Sequence, residues 1–95
     1  MTRDEALALV EEIEGLTATA RHDDERVKAG VRAIVTRLRD APGEHAVIGS
    51  KLASIATWTD ILFSPERRRI YGGDEEVTAL LLHDCERLRD VIRAD

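Results

Sequence analysis

Three features of this 95-residue sequence predict an all-α fold, a four-helix bundle with an additional short helix between helices 3 and 4. Apolar residues recur at helical spacing, β-branched residues do not alternate in runs, and both prolines stand at predicted helix boundaries. One Phe, one Trp and one Tyr accompany a hydrophobic content of 43%. The core must therefore be aliphatic, which favours closely packed helices, and residues 1–95 are predicted to form a single helical domain.

The first two helices are predicted on either side of a break at residues 22–24. Thr2 and Glu5 form a capping box at the start of the first helix. Its inward stripe is Ala6, Leu9, Val10, Ile13, Leu16, Thr17 and Ala20. Asp23 or Asp24 can cap the second helix. Its inward residues are Val27, Val31, Ile34, Val35 and Leu38.

The third helix is predicted over residues 45–63, after a turn at residues 40–43 that contains Pro42 and Gly43. Only Lys51 and Asp60 are formally charged within it. Its bulky side consists of Ile48, Leu52, Ile55, Ala56, Thr59, Leu62 and Phe63. Its opposite side consists of the small residues Ala46, Gly49, Ser50, Ala53 and Thr57. Because both sides permit close approach, this helix is predicted to be the central one.

The short helix is predicted over residues 65–71, with Ser64 as its N-cap and Pro65 at its first position. Gly72 and Gly73 end it, and Asp74 is predicted to cap the last helix. The apolar face of that helix consists of Val77, Leu80, Leu81, Leu88, Val91 and Ile92.

Asp84 is the one acidic residue predicted within an apolar stripe. A buried carboxylate is costly unless it is paired, so Asp84 is predicted to be satisfied inside the bundle. The expected partners are an Arg, the Trp58 N–H, Tyr71 or a hydroxyl such as that of Thr59. A perturbed acid in a cleft is the functional alternative.

Charge and cysteine content limit the classes of function. The formal net charge of −5 argues against nucleic acid as a partner, since phosphate binding depends on basic residues. The single cysteine, Cys85, allows no intramolecular disulfide and favours a reducing compartment. The N-terminal residues lack the apolar run of a signal peptide, and no stretch is apolar enough for a membrane span. A cytoplasmic location is therefore expected.

Catalysis, metal binding and cofactor binding find no support in the sequence motifs. The chain contains no nucleophile elbow, P-loop or dinucleotide fingerprint. His83 to Glu86 reads as a run of potential metal ligands, but neighbouring residues on a helix point about 100° apart. We therefore expect no enzyme activity, no metal and no cofactor.

The predicted function is that of a non-catalytic protein–protein interaction or regulatory module, adaptor-like and self-associating. Its partner would be a second copy, another protein or a neighbouring domain. The candidate interaction residues are Arg67, Arg68, Arg69, Tyr71, Leu82, Gly49 and Ala53. At most two of the three arginines can pair with the bundle's own carboxylates, because consecutive residues fan out around a helix. Ile70 and Tyr71 are expected to anchor the turn.

His45, Gly49 and Ser50 support a different function. In histidine phosphotransfer domains, which are four-helix bundles of about this size, the phosphorylated His is followed at the fourth and fifth positions by Gly and Ser. The segment from His45 to Ser50 resembles that motif, although Ile48 stands where the family usually has Lys. The resemblance implies phosphotransfer through His45, which is one alternative function. A nucleic-acid-binding helical regulator is a further alternative.

Overall fold

The computed structural model describes residues 2–19, 22, 24–40 and 46–94, and 89% of these described residues are helical. The helices are α1 (Arg3–Thr19), α2 (Glu25–Arg39), α3 (Ala46–Leu62), α4 (Pro65–Ile70) and α5 (Asp74–Ala94). The predicted all-α class and the short helix before the last long one are confirmed. The longest dimension of 36 Å is close to the length of α5, whose 21 residues span about 32 Å.

The four long helices form a ring in the order α1, α2, α3, α5. Contacts between Glu14 and Arg89 and between His22 and Asp74 show that α1 and α5 run antiparallel. The Ser54 contact with Asp84 and the end of α3 beside the start of α5 show the same for α3 and α5. Within the described ranges, α1 does not approach α3, nor does α2 approach α5. The bundle therefore has up-down-up-down topology.

The core lies along the axis of this ring and is almost entirely aliphatic, as predicted. Its buried hydrophobic residues are Leu9, Val10, Ile13, Val31, Ile34, Val35, Leu38, Leu52, Ile55, Ile61, Leu62, Phe63, Val77, Leu81, Cys85, Leu88 and Ile92. Thr17 and Thr59 are also fully buried, and their hydroxyls donate to the carbonyls of Ile13 at 2.8 Å and Ile55 at 2.7 Å. These bonds remove the cost of burying a hydroxyl without a partner.

Two predicted helix starts are confirmed by their cap geometry. The Glu5 backbone N–H donates to the Thr2 hydroxyl at 3.2 Å, and the Arg26 N–H donates to the Asp24 carboxylate at 2.9 Å. Asp24 is therefore a cap of α2. The predicted turn residues 41–43, and Asp23, lie outside the described residues.

The chain between α3 and α5 departs from the prediction at its caps. Ser64 occupies the N-cap position of α4, but its side chain makes no cap hydrogen bond. Asp74 is the first residue of α5 and not its cap; the Gly73 carbonyl accepts the Val77 N–H at 3.1 Å, and the Asp74 carboxylate contacts His22 instead. Gly72 and Gly73 do end α4, with φ of 103° and 100°, a conformation that other residues rarely adopt.

Candidate interaction surface

Polar contacts around His22 and Arg68 hold one end of the bundle together. The Arg68 guanidinium donates from Nη1 to the carbonyls of Leu62 at 2.9 Å and of His22 at 3.1 Å. The His22 ring contacts the Thr17 carbonyl at 2.8 Å through Nε2 and the Asp74 carboxylate through Nδ1. The network joins the ends of α1 and α3 to α4 and to the start of α5.

The three consecutive arginines of α4 divide into one structural residue and two free ones. Arg68 is half-buried and is held by backbone carbonyls, not by the carboxylates that the sequence suggested. It is therefore not a free member of the predicted interaction patch. Arg67 and Arg69 are exposed and have no hydrogen-bond or ion-pair partner within the described part of the chain. Their guanidinium groups remain free to meet another molecule.

The prediction that Ile70 anchors α4 against the bundle is wrong. Ile70 is 78% exposed, and no residue of α4 is buried. The reason is geometric: residues two apart on a helix point about 200° apart, so holding Arg68 inward turns Ile70 outward. Tyr71 keeps one contact with the bundle, because its ring meets Trp58 edge-on with centroids 5.4 Å apart, yet 49% of it is exposed.

Leu80 lies on the same edge of the bundle as Trp58 and Tyr71. Ser54 of α3 contacts Asp84 of α5, and the two helices are antiparallel. Trp58, one turn after Ser54, therefore lies opposite Leu80, one turn before Asp84. Leu80 is 39% exposed, and it joins Ile70 and Tyr71 as the exposed large hydrophobic residues among those described. We define Trp58, Ile70, Tyr71 and Leu80 as the corner patch. Its residues come from α3, from α4 and its C-cap, and from α5, and the described residues leave it partly exposed.

The exposure of Leu80 and Leu82 on α5 differs from the prediction. Leu80 was predicted on the apolar face of the last helix and Leu82 was not, but Leu80 is exposed and Leu82 is half-buried. Leu82 lines a shallow groove between α1 and α5 together with Ala18 and Ala79. Both leucines border the buried stripe of α5, one on the side of α3 and the other on the side of α1.

The predicted small-residue side of α3 faces away from the rest of the bundle. Gly49 and Ala53 are exposed, and a Cβ added to Gly49 would meet no atom within 4 Å. Ser50 and Thr57, on the same side, are exposed as well. The prediction that both sides of α3 are approached closely is therefore not met within one copy of the chain. Gly49 and Ala53 stay candidate interaction residues.

Asp84 is paired inside the bundle, as predicted, by the hydroxyl of Ser54 and by Lys51. It is 8% exposed and accepts a hydrogen bond from the Ser54 hydroxyl, while Lys51 Nζ lies 3.8 Å from its carboxylate. Both partners lie on α3; a hydroxyl was among the expected kinds of partner, but a lysine was not. The pair joins α3 to α5, and the cation and hydroxyl offset the cost of burying the carboxylate.

Cys85 is expected to be unreactive towards thiol reagents while the protein is folded. Burial, with a smaller contribution from the charge of Asp84, raises the pKa of the Cys85 thiol from 9.0 to about 12. The folded state therefore holds the thiol proton between those two pH values, whereas the unfolded chain loses it. The free energy of unfolding should fall as pH rises from 9.0 towards 12 and should be unaffected by this group below 9.0.

The measurement is urea unfolding as a function of pH for wild type and for Cys85→Ala, because their difference removes the titration of all other groups. Alkylation of wild type at pH 8 should become rapid only in denaturant. Rapid alkylation of the folded protein, or equal pH dependence of the two proteins above pH 9, would contradict this burial of Cys85.

No group of three or more His, Cys, Asp or Glu residues in the described ranges is placed to hold a metal ion. His83 is exposed on α5, and His45 lies outside the described residues, so phosphotransfer through His45 stays a prediction.

Comparison of the chain with protein-family models, with curated proteins and with solved structures finds no match. None of the described helices combines the length and apolar character that crossing a membrane requires.

Proposed function

We propose that this protein is a non-catalytic helical interaction module that binds a protein partner through the corner patch. The observation that carries the proposal is the exposure of Ile70, Tyr71 and Leu80 at one edge of the bundle, beside Trp58. Aromatic residues and arginine are enriched at the energetic centres of protein interfaces. The free Arg67 and Arg69 would supply the charged rim of this surface.

The states of the nucleophilic side chains support a module without catalysis. The Cys85 thiol is buried and its pKa is raised to about 12, whereas a nucleophilic cysteine needs an accessible thiolate. The Ser54 hydroxyl donates to the Asp84 carboxylate, which Lys51 also approaches to 3.8 Å, so these groups serve to join α3 to α5. A cytoplasmic location belongs to the same proposal, since a reducing compartment keeps a single thiol free.

Replacing Ile70 by glutamate should weaken partner binding by about tenfold or more, because it puts a charge into the centre of an apolar contact. The folded chain should be unaffected, since Ile70 is 78% exposed. Proteins that associate with the wild-type chain in its native cells, including the chain itself, would be purified. Their affinities for wild type and variant would then be measured by isothermal titration calorimetry.

The matched control is Ala33→Glu, which adds the same charge to an exposed position of α2. This helix lies diagonally across the ring from α5 and contributes nothing to the corner patch. The control should bind within about twofold of wild type, as expected for a surface change outside the interface. A partner that binds wild type and Ile70→Glu equally well would show that the corner patch is not the interface.

A further inference from the structure

Free charges of opposite sign flank the corner patch. Arg67 lies one turn before Tyr71 on α4, so both side chains are on the same side of that helix. Glu76 lies one turn before Leu80 on α5, so both side chains are on the same side of that helix, and a Cβ added to Gly72 would be only 2.9 Å from the Glu76 Cγ. Neither Arg67 nor Glu76 has an ion-pair partner within the described residues. The apolar surface therefore carries a cation where α4 borders it and an anion where α5 borders it.

This charge arrangement selects the kind of partner. An acidic surface would be attracted by Arg67 and repelled by Glu76, and a basic surface would meet the reverse. A surface that presents the same two charges in inverted order satisfies both. A second copy of the chain, rotated by a two-fold axis through the patch, presents that order, because in a two-fold contact residue i meets j and j meets i.

We infer that the partner of the corner patch is a second copy of this chain, bound about a two-fold axis with Arg67 of each copy facing Glu76 of the other. The inference rests on the proposed function and names its partner. Burial of Trp58, Ile70, Tyr71 and Leu80 against their counterparts supplies the attraction. The two Arg67–Glu76 pairs set the register of the contact. They also offset part of the repulsion between two copies that each carry a formal charge of −5.

The experiment uses charge reversal and sedimentation velocity over a concentration series at physiological salt, where long-range repulsion is screened. Wild type should dimerise. Arg67→Glu alone and Glu76→Arg alone should each weaken the dimer by about tenfold, because the two-fold axis turns two attractive pairs into two repulsive ones. Mixing the two single variants should restore association to within about threefold of wild type, since both pairs are again attractive in the mixed dimer.

Two controls separate this contact from general charge effects. The double variant Arg67→Glu with Glu76→Arg has the same formal net charge as wild type, and it should dimerise like wild type. Arg26→Glu makes the same change in charge as Arg67→Glu, but on an exposed residue of α2, and it should leave the dimer unchanged. Circular dichroism of each variant would show that its helices are retained.

A wild-type chain that stays monomeric overturns the inference, as does a mixture of single variants that associates no better than either alone. Single variants that dimerise like wild type also overturn it. If wild type is monomeric while Ile70→Glu still loses a different protein partner, the two-copy contact is wrong and the proposed function stands. If no partner of any kind distinguishes wild type from Ile70→Glu, both fail.

Discussion

Replacing Leu52 by alanine is expected to lower the free energy of unfolding by about 2–5 kcal/mol. Leu52 is 2% exposed and lies one turn before Ile55, which is fully buried. Removing its side chain leaves a cavity between packed helices that relax only in part. Domains of ordinary stability unfold with about 5–15 kcal/mol, so the loss would be a large share of the total. Urea unfolding followed by circular dichroism measures it.

Leu80→Ala is the matched control, because it removes the same atoms from a leucine that is 39% exposed on the helix packed against α3. It should cost less than half as much, since part of its side chain is in water in both states. If the two substitutions were equally costly, or if Leu52→Ala cost less than about 0.5 kcal/mol, the bulky side of α3 would not be facing the core.

Arg68→Ala should have the second-largest effect, a loss of about 1.5–3 kcal/mol in the free energy of unfolding. The side chain donates to the carbonyls of Leu62 and His22, which belong to the end of α3 and to the connection between α1 and α2. Carbonyls at a helix end have no partner within the helix, so a charged donor there replaces water in a part-buried place.

Arg67→Ala gives the comparison within the same short helix, since Arg67 is exposed and has no partner among the described residues. It should change stability by less than about 0.5 kcal/mol. Thermal and urea unfolding of the two variants would be compared side by side. Equal stabilities would mean that Arg68 is as free as its neighbour and that α4 is held by other contacts.

Most of the fold could be predicted because its signals are local. The repeat of apolar residues at helical spacing predicted the buried residues Val31, Ile34, Val35 and Leu38 of α2, and the cap of that helix followed from Asp24. Each of these follows from one turn of helix and its nearest neighbours in the chain. Helix class and number therefore needed no knowledge of which helix packs against which.

The candidate surface could be predicted only in part, because it depends on contacts between distant residues. Arg67, Arg69 and Tyr71 were recognised from their position on a short exposed helix, and all three are exposed. The role of Arg68 depends on His22, 46 residues earlier, and no local pattern indicates that contact. Likewise, only the packing of α5 between α1 and α3 decides that Leu80 is more exposed than Leu82.

Trp58 gives this protein an internal optical probe, since it is the only tryptophan in the chain. Its indole packs partly against the hydrophobic core and partly against Tyr71 at the surface. Unfolding should shift its emission to longer wavelength as water reaches the ring, whereas covering the neighbouring surface should shift emission the other way and reduce quenching by acrylamide. Unfolding and association therefore shift the Trp58 emission in opposite directions, and both can be followed in one unlabelled sample. Dilution would reverse association without unfolding the chain.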